Sequence, residues 1–186
     1  MANNAIVSSL SRPQALLAEL NKHTPYDTRE ERSLTQTCNL LNTMSDKAFT
    51  REHSHRHITG SAFVISNQGL LLHLHKKIKL WIQPGGHLDE NETTYQAALR
   101  ETKEETGVVP DLSNEIFYVD VHETPSGHTH FDIRYLGYSD DLKINPGEDE
   151  SQSVEWFTPE KCMTLTDPAI TGTIEKLVKQ DKFLKC

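Results

Sequence analysis

Residues 85–107 read GGHLDENETTYQAALRETKEETG and set three glutamates within two turns of one expected helix. From about Thr93 the pattern suits a helix ending at Thr106, with Gly107 where a left-handed C-cap is favoured. At about 100° per residue, Tyr95, Ala98, Leu99 and Thr102 share one side and form the expected core-facing stripe. Glu101, Glu104 and Glu105 form a neighbouring arc, with Glu101 and Glu105 on the flank of that stripe. Arg100 and Lys103 fall on other sides and are not expected to neutralise the trio. Like charges four apart on a helix destabilise it by roughly 0.2–0.5 kcal/mol per pair. A helix that accepts this either points its charges into water or gives them a cation to hold. The glycines ahead of it, in Pro84-Gly85-Gly86, let the backbone approach a ligand closely. Three carboxylates on rigid helix positions supply the all-oxygen shell that a hard divalent ion such as Mg²⁺ requires.

Upstream of this stretch the texture changes at His57. HITGSAFVIS (57–66) and LLLHLHKKIKLWIQP (70–84) are β-like runs joined by a turn signal at Asn67-Gln68-Gly69, and predict a hairpin. EIFYVDVHET and HTHFDIRYLGYS predict two further strands joined through Pro125-Ser126-Gly127. VEWFTP predicts a short strand, and the segment from Pro168 a closing helix. Before His57 the pattern is helical: Leu10, Leu16, Leu17 and Leu20 in one segment, and Leu34, Cys38, Leu41 and Met44 in a second with Thr28 as its expected cap. The expected division is a helical N-terminal extension over 1–56 and a main domain over 57–186. The expected class is α+β, a layered domain with a mixed β-sheet.

The 186 residues suit one domain with a short attachment. With 35% apolar and 25% charged residues the composition is that of a soluble globular chain. A net charge of −8 argues against nucleic acid as the main partner. No stretch approaches the roughly 20 apolar residues of a membrane span, and the first residues carry no basic n-region. Cys38, Cys162 and Cys186 are widely spaced and form no CxxC, which fits reduced thiols and an expected cytoplasmic location.

Gly86, then five residues, Glu92, then seven, and Arg100-Glu101-Thr102-Lys103-Glu104-Glu105-Thr106-Gly107-Val108 resemble the Nudix box, Gx5Ex7REUxEExGU with U aliphatic. Every fixed position is met; the one departure is Thr102 at the first U, whose methyl can still pack on the core stripe. The flanking strands and closing helix are also similar to that family's domain. The resemblance implies an α/β/α sandwich around a mixed sheet, with the box as a loop–helix–loop. It implies Mg²⁺- or Mn²⁺-dependent hydrolysis of a nucleoside diphosphate linked to another moiety, with water attacking one phosphorus. By position, Glu101, Glu104 and Glu105 would be catalytic metal ligands, with the Gly86 carbonyl a further one, and Glu101 the first choice for the general base. Glu92 and Arg100 would be structural, paired across the box, as would Gly107. Many such relatives recruit one more carboxylate from a loop before the last strand; here Glu148, Asp149 and Glu150 are offered and Glu150 is preferred. Dimers are common among relatives, and the N-terminal helices would serve as a homodimer contact, a lid or simple packing on the domain.

In HTHFDIRY, alternation places His128, His130, Asp132 and Arg134 on one strand face. That face either lines the substrate cleft, with Arg134 gripping a phosphate and His130 and Asp132 beside it, or faces solvent. His53, His55 and His57 invite a zinc reading, but without a regular partner pair they read as a polar linker. The leading expectation is a pyrophosphohydrolase acting on a nucleotide or other diphosphate; the alternative is a catalytically silent nucleotide-binding or sensor module. An isomerase of related fold needs a cysteine in the strand ahead of the box, and none stands there.

Overall fold

The computed structural model of the chain describes residues 10–52, 54–147, 151–165 and 167–185. The first helix, α1 (Arg12–Leu20), begins where the Ser11 N–H donates to the Gln14 side chain at 3.0 Å and Pro13 pre-sets the first turn. In α2 (Thr28–Met44) the cap is Asp27, one residue before the expected Thr28; its carboxylate accepts from the Glu30 N–H at 2.8 Å. A 3-10 turn (Ser45–Phe49) then leads into the sheet.

The centre of the sheet is β1 (Arg56–Ser66), whose second half forms the expected hairpin with β2 (Gly69–His75). The run 70–84 does not continue as one strand. It turns at 76–80, with Lys79 at a positive φ, and resumes as the short β3 (Trp81–Ile82) beside β2. Next, β4 (Gly85–His87) pairs with the first half of β1. After the helix α3 (Thr94–Thr106), β5 (Asp111–Glu123) and β6 (Thr129–Tyr138) form a second hairpin. β6 lies parallel to β1 from Arg56 opposite Thr129 to Ile65 opposite Tyr138. β7 (Ser151–Phe157) adds to β2, and the short α4 (Pro159–Cys162) and α5 (Pro168–Lys179) follow.

The described residues thus form a mixed seven-stranded sheet flanked by helices, an α+β architecture. On one face, Ala97 and Ala98 of α3 join Leu16, Leu20, Leu40 and Leu41 of the first two helices over Ile58, Val64 and Ile133. On the other, Ile170, Ile174 and Leu177 of α5 cover Phe63, Leu72 and Phe157. Burying each of the larger of these side chains contributes about 1.5–3 kcal/mol, and each alanine methyl less. Glu30 fastens α2 to the sheet: it is wholly buried and accepts from the N–H groups of Tyr26 (2.6 Å) and Val119 (3.0 Å) and from Lys176 (3.3 Å). Burial opposes its ionisation, but His23, the Tyr26 N–H and Lys176 outweigh that and hold its carboxyl below the usual value. No described helix is long and apolar enough to cross a membrane.

Candidate active site

The box folds as a strand–loop–helix. Thr93 caps α3 reciprocally: the Gln96 N–H donates to the Thr93 hydroxyl and the Thr93 N–H to the Gln96 side chain. At the far end Gly107 adopts φ 79° and its N–H donates to the Lys103 carbonyl at 2.8 Å. Only glycine suits that position, since a Cβ there would also meet the Asn145 backbone at 2.4 Å. Thr102 is fully buried with its hydroxyl on the Ala98 carbonyl at 2.6 Å, so its polar atom is satisfied inside the core. The buried stripe includes Glu105, which lies on that face rather than on its flank.

Arg100 organises the box. Its guanidinium donates to both oxygens of Glu92 at 2.9 Å, to the His87 carbonyl at 2.9 Å, to Glu101 at 2.9 Å and to Glu104 at 3.0 Å. The expectation that Arg100 stands aside from the carboxylates is therefore corrected. Its long stem folds back across the helix surface, and the i,i+4 spacing brings Glu104 within reach. Part of the repulsion in the trio is thus relieved by this arginine. Burial alone would raise the Glu92 carboxyl, but the Arg100 hydrogen bonds hold it below its usual value. The Arg100 guanidinium is raised in turn, chiefly by Glu92.

Glu105 accepts from the Gly85 N–H at 2.9 Å, and His73 approaches the same oxygen at 3.5 Å. Burial lowers His73 to about 4, so that contact is made by a neutral ring. A Cβ on Gly86 would stand 2.6 Å from Glu101 Oε1, so the bare glycine is what lets the carboxylate lie against the loop. With Glu104 half-exposed beside them, these are hard oxygen donors that suit Mg²⁺ or Mn²⁺ in kind. Glu148 and Glu150 lie outside the described residues. Their neighbours are fastened to the end of α3: the Gly147 N–H donates to the Glu104 carbonyl at 2.9 Å and the Ser151 hydroxyl to the Glu105 carbonyl at 2.7 Å.

The chain matches the NUDIX domain over residues 55–177. The chain belongs to the NUDIX family. An asymmetrical bis(5'-nucleosyl)-tetraphosphatase of Caenorhabditis elegans is 29% identical over 102 residues, 50% of this chain and 70% of that protein. Its counterpart in Mus musculus is 28% identical over 103 residues, 52% of this chain and 67% of that protein. A crystal structure of a NUDIX hydrolase from Clostridium perfringens superposes with a TM-score of 0.59 at 27% identity, covering 67% of this chain and 98% of that one. NUDIX membership with every fixed residue of the box present makes this chain a pyrophosphohydrolase.

The polar face of β6, expected either to line a substrate cleft or to face solvent, does neither at Asp132 and Arg134. Arg134 is fully buried on the central strand β6 and beneath α5. It donates to Asp132 (2.8 Å), Asp120 (3.1 Å) and the Thr173 hydroxyl (2.7 Å). Asp132 is filled as well, accepting also from Thr59, Ser61 and Gln83. Burial opposes the charge on Asp132, Arg134 outweighs it, and the carboxyl sits below its ordinary value. Both side chains are thus spent on interior partners. His130 differs: it is partly exposed and lies among histidines, with ring centroids 4.9 Å from His57, 5.2 Å from His87 and 5.5 Å from His122. His57 is not in a linker but buried in β1, while His53 lies outside the described residues. Nothing local in the sequence announces this cluster, because its members come from four strands, β1, β4, β5 and β6.

Proposed function

We propose that this NUDIX protein hydrolyses the pyrophosphate linkage of a nucleoside diphosphate joined to another moiety, with Mg²⁺ or Mn²⁺ held by Glu101, Glu104, Glu105, the Gly86 carbonyl and Glu150. The observation that carries the reading is the complete box on a rigid loop–helix in which Arg100 ties Glu92, the His87 carbonyl and the carboxylates together. The metal, when bound, lowers the pKa of a coordinated water and neutralises charge on the phosphates. The chain's own work is positional. Glu92 and Arg100 hold the loop against α3, the Gly85 N–H orients Glu105, and Gly86 leaves room for Glu101, the proposed general base. The tetraphosphatase relatives support dinucleoside polyphosphates as one substrate class to test.

The experiment is phosphate or nucleotide release from nucleoside triphosphates, dinucleoside polyphosphates and ADP-ribose with Mg²⁺ or Mn²⁺. It is run against a Glu104→Gln/Glu105→Gln control of unchanged thermal midpoint. Turnover by the wild-type chain that the control lacks is the expected result. Equal rates in the two proteins overturn the assignment, and tight nucleotide binding without turnover favours a silent binding module.

A further inference from the structure

The box helix lies on one side of β4 and β1: the Cβ side of Gly86 is against Glu101, and that of Gly60 against the Thr94 backbone. Neighbouring side chains on a strand point to opposite faces. His87 and His57 therefore project from the face away from α3, where β6 places His130 directly opposite His57 in the parallel register. The ligating nitrogens of His57, His87 and His130 all lie within 4.8 Å of one another. Some point therefore lies within about 2.8 Å of all three atoms, against roughly 2.0–2.1 Å for a zinc–imidazole bond. Closing that gap takes ring shifts of about 0.7 Å.

A second observation is independent of this proximity. His57 is 1% exposed, and its Nδ1 sits 3.1 Å from the Ser54 carbonyl oxygen. A carbonyl only accepts, so Nδ1 carries the proton and Nε2 presents a bare lone pair. That Nε2 is buried and has no hydrogen-bond partner among the described residues. An orphaned buried acceptor costs about 1–3 kcal/mol. A ring whose other nitrogen donates to a backbone carbonyl has the tautomer and orientation of a metal-bound histidine.

We propose that His57, His87 and His130 bind a divalent transition metal of the Zn²⁺ class, at a site separate from the carboxylate centre of the box. Three imidazoles select such ions over Mg²⁺. They leave one tetrahedral position for water or a ligand oxygen. The ligands join β1, β4 and β6, so the ion pins the strand that begins the box to the middle of the sheet. His87 follows Gly86 directly, which puts the two centres on opposite faces of one short strand.

The test is Co²⁺ titration of the tag-free, chelator-treated full chain in excess Mg²⁺, followed by displacement with Zn²⁺. One equivalent of Co²⁺ is expected to give a visible absorption band that Zn²⁺ removes. Glu104→Gln/Glu105→Gln should leave the band in place, which separates this site from the hydrolytic one. His57→Gln and the more exposed His87→Ala should each weaken binding at least tenfold, and His128→Gln, beside the trio, should not. X-ray absorption of the Zn²⁺-loaded wild-type chain supplies a check that needs no variant, with three imidazole nitrogens expected. No band, equal affinity in the histidine variants, loss with the glutamate variants alone, or an all-oxygen zinc shell would each overturn the proposal.

Discussion

Gly86→Ala separates what the box does for stability from what it does for turnover. Its φ is not in the left-handed region, so alanine strains no backbone. The added methyl would stand 2.6 Å from Glu101 Oε1, and ordinary contact begins at about 3.4 Å, so the carboxylate must retreat by about 0.8 Å. A side-chain tip can do that at little cost, and the thermal midpoint is expected to stay within about 2 °C of wild type. Catalysis is less forgiving, since a misplacement near 1 Å can cost about 10²-fold. The expected fall in kcat/KM is about 30- to 100-fold, or about 2–2.7 kcal/mol of transition-state stabilisation. Gly60→Ala is the contrasting control. There the methyl would meet the Thr94 backbone oxygen at 2.2 Å, which cannot swing away, so the fold itself must yield. The assay pairs steady-state kinetics on the best substrate with thermal denaturation. A Gly86→Ala protein with wild-type kcat/KM would show that the position of Glu101 does not matter to the reaction, and the proposed role of that residue would fall.

Arg134→Met should destabilise by about 3–5 kcal/mol by stranding Asp120 and Asp132 in the interior, lowering the thermal midpoint by about 6–20 °C; an unchanged midpoint with a raised KM would restore the phosphate-gripping role. Arg100→Lys loses the bidentate grip on Glu92 and should lower kcat by tenfold or more with the chain still folded, measured by kinetics and circular dichroism; full activity would refute the clamp. For acid stability, burial opposes the charge on Asp120, but Arg134, His122 and Arg29 outweigh it and depress the carboxyl. A depressed carboxyl adds stability above its unfolded value of about 3.9 and loses it as pH falls through the lower folded value. Urea midpoints should therefore drop steeply below about pH 4 in the wild type and less steeply in Asp120→Asn; parallel acid limbs would count against this account.

What was legible in the chain was local. The acidic helix, its C-cap glycine and most of the β-runs follow from spacing, because helix and strand periods act over a few residues. The box follows from a resemblance; the break of the 70–84 run at 76–80 follows from neither. The reading failed where distant segments meet. Alternation correctly put His130, Asp132 and Arg134 on one face, yet it could not say that α5 would cover the Arg134 end through Thr173 and leave the His130 end open. Arg100 was misjudged because angular position describes where a stem leaves the helix, and five donors on a long stem reach well beyond it. The imidazole cluster depended on the parallel pairing of β1 with β6, which nothing near either strand announces.

The carboxylate of Glu30 has an implication for how the chain is made. Its ammonium partner, Lys176, lies 146 residues later. At roughly 5–20 residues per second, about 7–30 s of translation separate the two. Until then the second helix can seat its acid against the sheet only on His23 and backbone N–H groups, without the ammonium. Firm docking of α2 is thus expected to wait for α5, so that two segments far apart in the chain lock together at one buried point. A ribosome-bound chain halted before Lys176 should remain open to protease between Tyr26 and Met44.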